Sequence, residues 1–250
     1  MGNQNDLASL YKPLCDVEAA YRTLGVEESA EKAMKGLSTP FLINISAEYT
    51  QSHPRVVIVG QETMGWGWGA DSHLTYQDFV KHKTLDAAQL LYDGYLKSPV
   101  MTPFFQYLNK IQRGIFGDEE TVPGQILWLN LFKFNHEPDH CYMIYSPYCD
   151  AALNLQRDVF QQEIKLLEPA VVVFLTGPYY DKIIQHFYPD VVFQPVENSN
   201  TRLFARLSDR QLPKLSFRTY HPGYLNRRKK MADSIVATII QSVRREFGTA

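Results

Sequence analysis

Three short apolar runs, each breaking into a loop with a different polar group, constrain this chain most. Arg55-Val56-Val57-Ile58-Val59 opens into Gly60-Gln61-Glu62-Thr63-Met64-Gly65. The run 126–129 ends on Asn130, and the run 212–220 precedes His221-Pro222-Gly223-Tyr224-Leu225. A short β-branched run closed by glycine is the pattern of a strand buried on both faces, as parallel sheets require. An α/β sheet gathers such loops at the carboxyl ends of its strands, where ligands bind. In chain order the loops supply a carboxylate, an amide and an imidazole.

Helical spacing fills the intervals. Leu10, Leu14, Val17, Tyr21 and Leu24 recur at three and four residues and predict one amphipathic helix over 7–24. Further helices are predicted over 27–35, over 76–96 as one or two, over 103–113 closed near Gly114, and over 154–167, 179–187 and 229–247. Residues 125–132, 170–175 and 214–220 read as strands, and 191–196 with 202–207 as a hairpin or sheet-edge insertion. Alternating strands and helices predict a three-layer α/β domain with a mostly parallel sheet. The apolar runs show no linker-like break. All 250 residues are therefore expected to form one domain, with a helical scaffold over 1–50 and a core over 55–245.

Composition excludes several classes. A hydrophobic fraction of 45% with 21% charged residues is ordinary for a globular chain. No apolar run reaches the ~18 residues of a transmembrane helix. The start, Met1-Gly2-Asn3-Gln4-Asn5-Asp6, lacks the basic and apolar parts of a signal peptide, and Asp6 stands where myristoylation wants Ser or Thr. A cytoplasmic location is expected. Cys15, Cys141 and Cys149 are too few and too scattered for a disulfide framework or a four-cysteine cluster. A net charge of -2 argues against a protein that coats nucleic acid, but not against one basic edge, and Arg227-Arg228-Lys229-Lys230 is such an edge.

Each loop has two readings. Glu62 either caps the next helix or projects a carboxylate at the sheet edge. Asn130 is a turn former, or an amide whose donor and acceptor match a base's Watson–Crick edge. Leu225 either tucks back onto the closing helix or forms an exposed apolar tip among cations, suited to wedge into a base stack. Two motifs mislead. Gly65-Trp66-Gly67-Trp68-Gly69 fails the dinucleotide spacing, since the third glycine position, 70, is Ala. His136-Glu137-Pro138-Asp139-His140 spells a zinc-protease motif, but that motif works on a helix and Pro138 breaks one.

The order of these loops resembles the uracil-DNA glycosylase superfamily over residues 55–245. The family's first motif, Gly-Gln-Asp-Pro-Tyr-His, is matched by Gly60-Gln61-Glu62-Thr63-Met64-Gly65. Its middle motif is matched by Leu127-Trp128-Leu129-Asn130-Leu131-Phe132, and its last, His-Pro-Ser-Pro-Leu, by His221-Pro222-Gly223-Tyr224-Leu225. Val172-Val173-Phe174-Leu175-Thr176-Gly177 also looks like the family's strand and turn. The resemblance implies a three-layer α/β/α sandwich with a central, mainly parallel four-stranded sheet. It implies a DNA glycosylase that hydrolyses the N-glycosidic bond of uracil or a modified pyrimidine with no metal or cofactor; a monomer is expected. Glu62 and His221 would be catalytic, and Gln61, Asn130, Met64 and Tyr76 would bind the base. Leu225, Asn226, Arg227, Arg228 and Lys229 would bind DNA. The sequence departs from the family at Glu62, one methylene longer than Asp, and at Thr63-Met64-Gly65, which lacks the aromatic gate against a 5-methyl group. Without turnover, the same fold would serve as a DNA- or modified-base-binding protein. An unrelated α/β hydrolase finds no G-x-S-x-G elbow or Walker loop to support it.

Overall fold

A computed structural model describes residues 4–63, 74–99, 101–119, 121–137, 141–197 and 199–248. The chain divides into two compact units, each assembled from three separate stretches. Met1–Asn44, Gln61–Gly94 and Asn130–Leu166 make the first, and Ile45–Gly60, Tyr95–Leu129 and Leu167–Ala250 the second. In chain order the helices are α1 (Gln4–Tyr11), α2 (Val17–Leu24), α3 (Glu27–Gly36), α4 (Ala47–Gln51), α5 (Tyr76–His82) and α6 (Leu85–Lys97). They continue with α7 (Pro103–Phe116), α8 (Cys149–Leu155), α9 (Val159–Leu167), α10 (Asp181–Phe187), α11 (Pro222–Leu225) and α12 (Lys229–Phe247).

The strands are β1 (Val56–Gly60), β2 (Ile126–Asn130), β3 (Val171–Phe174), β4 (Val192–Pro195), β5 (Phe204–Ser208) and β6 (Leu215–Thr219). They form one sheet in the order β2-β1-β3-β6-β5-β4. β1, β3 and β6 run parallel, with Val57 opposite Val172 and Val173 opposite Phe217. Every residue of these three strands is buried; β1 and β3 are continuous apolar runs, whereas β6 alternates and buries Ser216, Arg218 and Thr219 as well.

The expected four-stranded, mainly parallel sheet is instead a mixed sheet of six strands. The hairpin of β4 and β5 accounts for the difference: β5 joins β6 antiparallel, and β4 joins β5 antiparallel. Arg218 of β6, 1% exposed, fixes the hairpin turn. Its guanidinium donates to the carbonyls of Thr201 and Arg202 and pairs with Asp181. The outermost strand ends on Pro195, which has no N–H to offer another chain, and so blunts the edge.

Several helix limits also differ from the sequence reading. The helix expected over 7–24 is broken by a 3-10 turn, Lys12–Cys15, with Pro13 in its first turn. Asp16 then restarts the helix by accepting from the amides of Glu18 and Ala19. The helix expected over 154–167 divides into α8 and α9 around Asp158, whose φ is 62°. α7 runs through Gly114 and closes at Gly117, where φ is +89°. Gly114 is there for closeness: a Cβ would stand 2.1 Å from Ile240 Cδ1 of α12. Gly114→Ala returns about 1 kcal/mol of helix propensity but overpacks at a cost of about 1–3 kcal/mol. A net loss is expected, read as a lower urea midpoint.

In the first unit the charged core is Tyr11, Lys133 and Glu163, each completely buried. Lys133 pairs with Glu163, whose other carboxylate oxygen accepts from the Tyr11 hydroxyl. That hydroxyl accepts from the Ile43 amide, and the Lys133 ammonium lies over the rings of Phe41 and Phe160. Among the described residues, no helix is long and apolar enough to cross a membrane.

Candidate functional site

The first unit carries the residues that follow β1 and β2. The Phe132 amide donates to the Gln61 carbonyl (2.9 Å), which ties together the two segments just past those strand ends. Gln61 and Glu62 are half-buried, and Thr63 is buried. Asn130, the last residue of β2, is 1% exposed. Glu62 raises the pKa of Cys149 through its charge, after burial and Asp150, which places that thiol in the field of the carboxylate. Met64, Trp66 and Trp68 lie outside the described residues.

One residue that the sequence did not single out braces this segment. Gln156, fully buried, donates to the Leu131 carbonyl (2.7 Å) and accepts from the Lys133 amide (2.6 Å). Buried backbone groups after a strand end need such partners. A lone Gln in the first turn of the helix expected over 154–167 carries no signal for that role.

Tyr76 is not placed to stack on a base. Its side chain is completely buried, edge-on to Phe134 with ring centroids 5.0 Å apart, so neither ring face is open. Thr75 explains its position, because a capping box with Asp78 starts α5 at Tyr76 and turns that side chain into the core. His136 lies in an isolated antiparallel bridge with Leu37, and not on the helix that the zinc-protease motif requires. Its Nδ1 is 2.7 Å from Cys141 Sγ.

The second unit carries the loops after β3 and β6. Because β1, β3 and β6 are parallel neighbours, their C-terminal ends share one edge of the sheet. The Gly177 amide donates to the Thr219 carbonyl (2.9 Å), which sets the β3 loop beside the β6 loop. His221 is the N-cap of α11, and its carbonyl accepts from the amides of Tyr224 and Leu225. Pro222 fits the first helical position, where no N–H is needed.

The His221 ring is half-buried, and Nδ1 accepts from the Gly223 amide (3.2 Å). Accepting there leaves the ring proton on Nε2. Burial pushes the His221 pKa below its ordinary 6.5, so the neutral ring is favoured. An NMR titration of its ring protons is expected to give a midpoint below 6.5. Between that midpoint and 6.5 the unfolded chain binds the extra proton, so this contribution to stability is lost as pH falls.

Leu225 is not the exposed tip that the charged neighbours suggested; it is completely buried. α11 is a single helical turn packed against α7 and α12, and it rotates Leu225 inward. Burying such a side chain stabilises by about 1.5–3 kcal/mol, which decides its orientation. The exposed residues are Tyr224, Asn226, Arg227, Arg228 and Lys229. Tyr224 stacks on Tyr220 with centroids 4.2 Å apart, and the Arg228 guanidinium sits 5.6 Å from the Tyr224 ring centre. No protein-family model matches the chain, and no curated protein matches it.

Proposed function

We propose that this chain is a monofunctional DNA glycosylase of the uracil-DNA glycosylase type, acting on uracil or a 5-modified pyrimidine. The observation that supports it most is the parallel trio β1-β3-β6. The C-terminal ends of these strands lead into Gln61-Glu62, Gly177-Pro178 and His221-Pro222, while β2 closes on Asn130. A three-layer arrangement around a parallel core within the mixed sheet belongs to the same reading, as do a monomeric state and a cytoplasmic location.

The chemistry follows from the side chains. The base leaves the duplex stack at a cost of a few kcal/mol. The C1′–N bond breaks, its electron pair departs with the base, and positive charge grows on the sugar. The Glu62 carboxylate stabilises that charge and orients the water whose oxygen bonds to C1′. His221, neutral with its proton on Nε2, donates to the pyrimidine carbonyl oxygen as negative charge arrives there. The proton shed by water balances the departing base. Asn130 and Gln61 read the base edge; Asn130 is nearly fully covered, so reading there requires local opening on binding. Asn226, Arg227, Arg228 and Lys229 contact phosphates, with Leu225 supporting their turn from within.

Base release from labelled oligonucleotides, read by alkaline cleavage at abasic sites, tests this function. The panel carries uracil, thymine mispairs and 5-modified pyrimidines. Product from wild type that vanishes in Glu62→Gln and His221→Ala supports the proposal. Intact DNA binding with no product across the panel points to recognition without turnover.

A further inference from the structure

The second unit presents aromatic rings and cations together along the loops that follow β3 and β6. Tyr179 is 64% exposed and Tyr224 36%, both high for large aromatic side chains. The Arg202 guanidinium lies 5.9 Å from the Tyr179 ring centre, and that of Arg228 lies 5.6 Å from Tyr224. Tyr220 supports Tyr224 from beneath in a near-parallel stack, with 23° between the ring planes. The two aromatic–cation pairs stand on adjoining loops. A Cβ at Gly177, two residues before Tyr179, would be 3.6 Å from Tyr220 Cδ1.

The surroundings favour an anionic partner. Arg227, Arg228 and Lys230 are exposed and make no ion pair among the described residues. Asp181, whose carboxylate feels the Arg202 charge, is engaged by Arg218. The Arg202 backbone is fixed, because its carbonyl and that of Thr201 accept from Arg218. An exposed ring beside an arginine offers a flat face and a positive charge together, which suits a base with its phosphate. A base can therefore enter over each ring while the guanidinium moves out to a phosphate.

We infer that Tyr179 and Tyr224, with Arg202 and Arg228, form a stacking track for unpaired bases, so that single-stranded DNA is the preferred partner of this edge. Duplex DNA keeps both faces of its bases occupied by neighbours and offers the rings nothing to stack on. The inference rests on the DNA reading above but not on catalysis.

Fluorescence anisotropy with dye-labelled oligothymidylate, and with a duplex of the same length, tests it. Tighter binding of the single strand is expected, and Tyr179→Ala or Tyr224→Ala should weaken it by about 5- to 100-fold. Tyr179→Phe and Tyr224→Phe keep the ring and should stay within about twofold of wild type. Arg228→Ala should lower the salt slope by about 0.7, as one lost phosphate contact does on a single strand. Equal affinity for duplex and single strand, or alanine variants indistinguishable from wild type, overturns the track. Binding of oligothymidylate without excision of any base leaves the track standing and removes only the glycosylase. Binding of neither probe overturns both.

Discussion

Glu163→Ala is expected to lower folding stability by about 3–5 kcal/mol, because it leaves the Lys133 ammonium buried without a counter-charge. Burial dominates both ionisations: it holds the Glu163 pKa above its ordinary value and the Lys133 pKa below, despite their pairing. The pair therefore does not recover its own desolvation, and its loss costs most when only one partner is removed. The double variant Lys133→Met/Glu163→Gln should regain most of the deficit, since Met fills the lysine's volume and Gln still accepts from the Tyr11 hydroxyl. Urea unfolding of the three proteins decides the matter. A single variant within about 1 kcal/mol of wild type would mean that water reaches the pair.

Glu62→Gln is expected to lower base release by about 10²–10³-fold with DNA affinity intact. The substitution keeps the shape and one acceptor oxygen but removes the negative charge, which acts only while the sugar is cationic. An interaction made only in the transition state lowers kcat and kcat/KM together and leaves KM unchanged. Single-turnover rates on the best substrate of the panel read this effect. A loss confined to KM would assign Glu62 to ground-state binding instead.

The strands were the legible part of the fold. Val56-Val57-Ile58-Val59 and Val171-Val172-Val173-Phe174 are buried on both faces, and a continuous apolar run is the sequence pattern of that burial. α12 also runs from Lys229 to Phe247 as its spacing indicates. The edge hairpin was legible as a segment, but the number of strands was not. Its turn is held by Arg218, an arginine inside an apolar run that reaches two backbone carbonyls and Asp181. Nor did composition mark the two units, since each draws on three stretches and no linker joins them.

Local geometry was readable where turn chemistry sets it: Asn130 ends β2, and His221 before Pro222 caps α11. Tyr76 and Leu225 were misread because burial is not local. An aromatic after a capping Thr and a leucine before four cations both look available in sequence, and both are turned inward by the helices they begin or end. Gln156 and the Lys133–Glu163 pair gave no signal, since their partners are distant in sequence and chosen by packing.

The interleaving of the two units has a consequence for synthesis on the ribosome. Val56 of β1 pairs with Val171 of β3, so a wholly apolar strand leaves the exit tunnel long before its neighbour exists. Until β3 and then β6 emerge, the nascent chain carries an unpaired sticky edge, the kind of segment that aggregates or recruits a holdase. The first unit is complete in sequence once Leu166 is out, whereas the second waits for α12. Slowing translation between β1 and β3 should therefore reduce the soluble yield, while the same pause placed before β1 should leave it unchanged.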